Sequence, residues 1–162
     1  MSGLRGSNLA PSPEKPRRST RGAPPESLLL AADTIVALDG DILGKPRDTA
    51  DALAMLRRLA GRAHTVTSAV CCLLPDGEEV RFHDTTTVTF HPWPEEALAA
   101  YARTGEPLDK AGAYAIQGLG AFLTARIEGS WSTVVGLPVT PLAALLLERG
   151  IIAPALSGVV PD

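Results

Sequence analysis

The hydrophobic pattern of this chain changes period several times, and each change marks an element. Residues 28–38 form an apolar run of strand length, followed by Asp39-Gly40, a dipeptide that suits a two-residue hairpin. Ile42-Leu43 begins the return strand, which Gly44-Lys45-Pro46 cuts short. Asp48 or Thr49 then caps a helix running to about Ala60. Leu53, Leu56 and Leu59/Ala60 fall on one stripe, Arg57 and Arg58 lie off it, and Gly61 stops it. Residues 64–74 read as a buried strand closed by the turn Pro75-Asp76-Gly77, and 80–90 as the next strand, antiparallel to it. Pro94-Glu95-Glu96 opens a second helix that ends before Gly105: Pro suits a first turn, and acids there complement the helix dipole.

A polar, glycine-rich loop over 105–120 precedes a strand at 121–127. A strand or turn follows around 133–135, and 141–149 is a last amphipathic helix ended by Gly150. Strands and helices are mixed and no internal repeat is present, which gives an α/β or α+β class around a mixed sheet. Residues 1–26, with Pro11, Pro13, Pro16, Pro24 and Pro25 among Ser, Gly and Arg, read as an irregular or disordered basic arm. The folded domain spans 27–152, and 153–162 form a tail.

At 162 residues the chain has the size of one domain, and 45% hydrophobic residues suffice for a core. The formal net charge is −3, but residues 1–25 hold five basic residues and one acid, so the rest is more strongly acidic. An acidic body with 4% aromatic residues argues against a nucleic-acid partner, which needs basic surface and stacking platforms. No stretch approaches the roughly 20 apolar residues of a membrane span, and the Arg/Pro-rich start lacks an apolar signal core. Cys71 and Cys72 are sequence neighbours in an extended run, so they point to opposite faces and read as small buried residues of a cytoplasmic protein.

Three segments carry candidate chemistry. Asp33 lies in Leu28-Leu29-Leu30-Ala31-Ala32-Asp33-Thr34-Ile35-Val36. Burying an uncompensated carboxylate costs several kcal/mol, so Asp33 either sits at the strand's mouth, binds a cation or is neutralised; the plain alternative is a structural Asp bonded to a turn. Lys45, between Gly and Pro, has a constrained backbone and a free ammonium suited to a phosphate, and the hairpin brings it back alongside Asp33. Most such lysines are surface charges, and only this position raises its standing. The loop 105–120 holds Asp109, Lys110, Gln117 and four glycines. Glycines allow close backbone approach, and the Gln117 amide both donates and accepts, as reading a base edge requires. The plain alternative is a connecting loop with a local Asp109–Lys110 pair. His64, His83 and His91 share no metal-ligand spacing, and His64 reads as structural.

Together these features resemble the Maf family, the septum-formation Maf-like proteins. The resemblance rests, in chain order, on Ala32-Asp33-Thr34-Ile35-Val36, Gly44-Lys45-Pro46, Met55-Leu56…Leu59…Gly61…His64-Thr65-Val66-Thr67, Tyr101…Gly105-Glu106-Pro107…Asp109-Lys110-Ala111-Gly112-Ala113-Tyr114…Ile116-Gln117-Gly118, Gly129, and Val134-Val135-Gly136-Leu137-Pro138. It covers residues 28 to about 150. It implies an inosine-triphosphate-pyrophosphatase-like α/β fold, a mixed twisted sheet flanked by helices, with the substrate in a cleft between two lobes. It further implies hydrolysis of a nucleoside triphosphate to monophosphate and pyrophosphate, aided by a divalent metal cation, magnesium or manganese. Asp33 stands at the position of the catalytic base, and Thr34 and Gln117 at positions that set base preference. Gln at the second resembles the branch acting on dTTP and UTP. Lys45 and Lys110 are the candidate phosphate-binding cations, with Asp109 as a supporting or metal-linked carboxylate. The expected partner is the nucleotide alone, with no nucleic acid and no membrane, and a homodimer is the candidate assembly.

One departure stands out. Family members open with a strand carrying Leu-Ala-Ser…Ser-Pro-Arg-Arg, then a helix and a functional Glu, whereas here only 32 residues precede Asp33. Either Leu9-Ala10-Pro11-Ser12-Pro13…Arg17-Arg18 is an eroded copy with a deletion behind it, or the family's N-terminal portion is absent and Lys15 stands where the family has an upstream lysine. The Lys15–Asp33 spacing, and the disruption by Pro13 and Pro16, favour the second. Either way, a sheet strand and a phosphate-binding arginine pair are expected to be missing. Two rivals follow: a catalytically impaired Maf-like protein that acts by binding, as in division arrest, and a small nucleotide- or RNA-binding module using the basic arm.

Overall fold

Asp39 and Gly40 both adopt positive φ, 54° and 89°, and this turn folds β1 (Leu29–Leu38) onto β2 (Asp41–Leu43) with Val36 opposite Leu43. The computed structural model describes residues 27–154; the arm over 1–26, with Lys15, and tail residues 155–162 lie outside them. Helix α1 (Thr49–Leu59) follows, its Asp48 cap accepting from the Asp51 amide at 2.8 Å. It leads into β3 (Ala63–Leu73), which the turn at Pro75-Asp76-Gly77 reverses into β4 (Glu79–Phe90). Helix α2 (Glu95–Ala102), the loop and β5 (Thr124–Glu128) come next. The sheet order is β2-β1-β3-β4-β5. The α/β class holds, as a five-stranded sheet flanked by helices, consistent with the fold the resemblance implies. Every pairing among the described residues is antiparallel, because each connection returns the chain to the edge of a neighbour in reverse.

Two apolar clusters share the inner face of this sheet. At one end Leu56 and Leu59 of α1 and Leu98 of α2 pack on Val36, Val66 and Phe90. At the other, Leu142 and Leu146 of α4 (Val139–Glu148) pack on Val70, Cys72 and Leu74. Cys71 and Cys72 are buried free thiols, as their opposite orientation predicts. Among the described residues no helix is long and apolar enough to cross a membrane.

Two expectations change. Residues Gly118–Leu123 wind as a 3-10 helix, so β5 begins at Thr124 and not at 121. Residues 133–135 belong to a short helix, α3 (Trp131–Val135), and not to a strand or turn. The β-branched run Thr133-Val134-Val135 favours extension, but tertiary contacts override it. Thr86 of β4 donates to the Ser130 carbonyl at 3.1 Å and accepts from the Ser130 amide at 2.9 Å, pinning the helix start. Gly136, with φ of 122°, ends it.

His64 is 3% exposed at the first cluster, with the rings of Phe90 and Tyr114 edge-on to it at 5.0 and 5.4 Å. Its Nε2 bonds the Tyr114 hydroxyl at 2.9 Å, and its Nδ1 has no partner among the described residues. Burial pushes its pKa down to about 4. Between that value and the ordinary 6.5 the unfolded chain binds the extra proton, so stability is lost as pH falls through this window. The loss should reach roughly 3 kcal/mol by pH 4, at about 1.36 kcal/mol per unit. Denaturant titrations at pH 7, 5.5 and 4 on wild type and His64→Gln measure it. A wild type that loses no more than the variant would refute the assignment.

Candidate active site

Strand register places three cross-strand rows side by side on the inner face: Val36, Val66 and Thr86; Thr34, Ser68 and Asp84; Ala32, Val70 and Phe82. The middle row is polar and lies between the two apolar clusters. Its groups are satisfied from above by α3. Ser68 is fully buried and donates to the Thr133 carbonyl at 2.7 Å, and its Oγ lies 2.7 Å from the Thr34 Oγ1. Thr133 is also fully buried and donates its own hydroxyl to Asp84.

A cavity of about 280 Å³ opens at the β1 end of this row, near the lower bound of ligand-site volumes. Ala32, Asp33 and Thr34 supply its β1 wall, Lys45 enters after β2, and Val134 and Val135 close it from α3. Asp109, Lys110, Tyr114 and Gln117 come from the loop. One glycine makes the loop's approach possible. Gly112 has φ of 71°, donates to the Gly44 carbonyl at 3.1 Å, and a Cβ there would stand 2.9 Å from Val36 Cγ1. The Gly44-Lys45-Pro46 and Asp109-Lys110 segments are thereby joined over β1. All six residues singled out from sequence, Asp33, Thr34, Lys45, Asp109, Lys110 and Gln117, line this one cavity.

Asp33 is exposed, its Oδ1 accepting from the Thr34 amide at 2.9 Å, so the cost of a buried carboxylate does not arise. Lys110 bonds both Asp109 oxygens at 2.8 and 2.9 Å; that contact, with Lys45 contributing, holds the Asp109 carboxyl below its ordinary range. Lys45 has no ion-pair partner among the described residues. No group of three or more His, Cys, Asp or Glu side chains able to hold a metal occurs among the described residues. The cavity's carboxylates, Asp33 and Asp109, are donors of the type magnesium takes, since that ion uses one or two protein carboxylates and completes its shell with water and phosphate oxygens.

The family profile described as Maf-like protein matches residues 8–149. The chain belongs to the Maf family. Its relatives include a protein of Nitratidesulfovibrio vulgaris named dTTP/UTP pyrophosphatase, 65% identical over 125 residues, 77% of this chain and 60% of the relative. Proteins of the same name match in Oleidesulfovibrio alaskensis (57% over 129 residues, 78% and 59%) and in Neisseria meningitidis serogroup B (45% over 142 residues, 88% and 69%). The chain therefore spans about three-fifths of the length of the first two relatives. The profile match begins upstream of the described residues, at residue 8.

Sequence reasoning missed the residues that hold this candidate site in shape. Glu106 accepts from the amides of Leu119 at 3.0 Å and Gly120 at 2.8 Å, and from the Tyr101 hydroxyl. Tyr101 Oη in turn accepts from the Ala115 amide at 3.1 Å. Burial works to raise the Glu106 pKa, but the three donors outweigh it and hold the group ionised below its usual value. Gln117 is thus clamped two residues before and two after. Gly118, with φ of 79°, sits where a Cβ would meet Glu106 Oε1 at 2.4 Å. The Gly-Glu-Pro sequence was visible, but nothing in it says that one carboxylate will accept three bonds. Glu106→Gln keeps the shape and loses an acceptor, so amide exchange at Leu119 and Gly120 should speed up, with about 1–3 kcal/mol lost in local stability. Hydrogen exchange read by NMR tests this, and unchanged rates at both amides would show that the clamp does not hold the loop.

Proposed function

We propose that this chain carries the active site of a nucleoside triphosphate pyrophosphatase that acts on dTTP and UTP, releasing the monophosphate and pyrophosphate. The observation that carries the reading is the convergence of Asp33, Lys45, Lys110 and Gln117, from three separate segments, on one cavity. The name shared by the relatives supports the reaction and the bases. In this reading a water attacks the α-phosphorus, Asp33 accepts its proton, and the bond to the β-phosphate breaks, with pyrophosphate leaving. Lys45 and Lys110 face the phosphate oxygens, where they stabilise charge that grows in the transition state. Catalysis is then positioning and electrostatics, with no covalent intermediate. Asp109 would be linked to a divalent cation, with Asp33 holding it in the alternative that the metal and not the carboxylate activates the water; the cation would supply Lewis-acid polarisation of the phosphoryl oxygens. Gln117 and Thr34 face the base.

A panel of nucleoside triphosphates with magnesium or manganese tests this directly. Pyrophosphate release from dTTP or UTP is expected; tight binding with no turnover of any of them would favour a protein that acts by binding. Asp33→Asn should lower kcat by roughly 10²- to 10⁴-fold. Because Asp33 is exposed, stability should stay within about 0.5 kcal/mol of wild type. If the variant loses well over 1 kcal/mol of stability while the protein that remains folded turns over nucleotide as wild type does, Asp33 is structural.

Gln117→Glu should shift base preference without abolishing turnover. The uracil edge presents an N3 donor between two carbonyl acceptors, and the Gln117 carboxamide N–H donates to one of those carbonyls. A carboxylate loses the donor and sets negative charge against a carbonyl oxygen. The UTP-to-GTP ratio of catalytic efficiencies should fall about ten- to a hundredfold, and an unchanged ratio would remove Gln117 from base reading.

A further inference from the structure

The direction of one hydrogen bond on the cavity wall is fixed by chemistry. Ser68 and Thr34 are directly opposed on β3 and β1, with Oγ and Oγ1 2.7 Å apart, and either oxygen alone would be free to donate. Ser68, however, also lies 2.7 Å from the Thr133 carbonyl, which accepts and never donates. A hydroxyl has one proton, so the Ser68 proton goes to Thr133, and the Thr34 proton must go to Ser68. Thr34 is left facing the cavity with lone pairs only.

This polarity is built into the fold and not left to a rotating hydroxyl. Ser68 is completely buried between the apolar clusters, and α3 is held above it by the Thr133–Asp84 hydrogen bond and by the two hydrogen bonds between Ser130 and Thr86. Gly136, which ends α3, passes close to Thr34: a Cβ there would stand 3.4 Å from Thr34 Oγ1. On the other side Thr34 is one residue from Asp33 and shares the cavity with Gln117.

We infer that Ser68 is a positioning residue for base selection, because it consumes the Thr34 proton and makes Thr34 a pure acceptor toward the base. The inference rests on the proposed nucleotide reading of the cavity and deepens it. A pure acceptor pairs with the imide N3–H of uracil or thymine. Cytosine carries an unprotonated N3 at the same ring position, and two facing acceptors repel. Size does not separate UTP from CTP, whereas hydrogen-bond polarity does. In Ser68→Ala the Thr34 hydroxyl is released, turns its proton into the cavity, and meets cytosine N3 as readily as it accepts from uracil.

The test is the ratio of kcat/KM for UTP to that for CTP, measured on wild type and Ser68→Ala. Wild type should favour UTP by roughly ten- to a hundredfold, and the variant should bring the ratio near one, chiefly by gaining CTP turnover. A merely structural Ser68 would lower both efficiencies together and leave the ratio unchanged, and that result overturns the inference. If Ser68→Ala does not fold, the wild type alone decides, with UTP methylated at N3 as the probe. Loss of turnover at the level seen with CTP supports an acceptor facing N3, and turnover equal to that of UTP overturns it. A wild type that hydrolyses UTP but does not discriminate against CTP refutes only this inference. A wild type that hydrolyses neither refutes the functional reading as well.

Discussion

The structure depends on a polar row that crosses the inner face of a sheet. Thr34, Ser68 and Asp84 stand side by side on three strands where apolar residues would ordinarily continue the core. Each buried polar group left without a partner would cost about 1–3 kcal/mol, so something must cover the row and answer its hydrogen bonds. Helix α3 does so with one residue, Thr133, whose carbonyl takes the Ser68 proton and whose hydroxyl goes to Asp84. Because the row cannot pack as hydrocarbon, the apolar core divides into two clusters, one under α1 and α2 and one under α4. The cavity lies at the β1 end of the seam between them.

That arrangement explains which parts of the molecule were legible in sequence. The Asp39-Gly40 hairpin, the Asp48 cap and the turn at Pro75-Asp76-Gly77 are local devices, determined by φ preferences and side-chain acceptors a few residues away, and they appear where the pattern puts them. Asp33, Lys45 and Gln117 were legible as chemistry because charge or an amide in a glycine-rich or apolar setting is unusual, and the hairpin alone brings two of them together. Ser68 and Thr133 were not legible. In β3 the run from 68 to 72 is buried on both faces, so a serine there carries no alternation signal to say which way it points. In α3 the run Thr133-Val134-Val135 argues for extension, and only the contact with β4 at Ser130 and Asp84 makes it a helix. Asp33 taught the converse: an apolar neighbourhood in sequence did not mean a buried position, because this part of β1 pairs with β3 alone among the described residues and its carboxylate stays in solvent.

The same division of labour governs the loop. Glycines at 112 and 118 let backbone approach Val36 and Glu106 more closely than any side chain would permit, and one ionised carboxylate with one tyrosine then fixes the segment that presents Gln117. Shape around Gln117 is therefore made by buried or half-buried bonds, each costly to break.

The charged groups Lys45, Asp109 and Lys110 are organised differently, and the difference suits the phosphate-binding task proposed for them. Lys110 is paired with Asp109, but the two side chains are 41% and 72% exposed, and such a pair contributes under about 1 kcal/mol. In the proposed reading a triphosphate would draw the ammonium away from Asp109 at little cost and leave that carboxylate able to hold a divalent cation. Lys45 needs no such release, since it has no ion-pair partner among the described residues. The groups around Thr34 and Gln117 are thus fixed by bonds within the fold, whereas Lys110 is held by one weak, exposed ion pair. The proposed reading, choice among bases together with stabilisation of charge that appears only during reaction, has use for both: discrimination needs bonds that do not adapt, and phosphate chemistry needs charges free to meet the transition state.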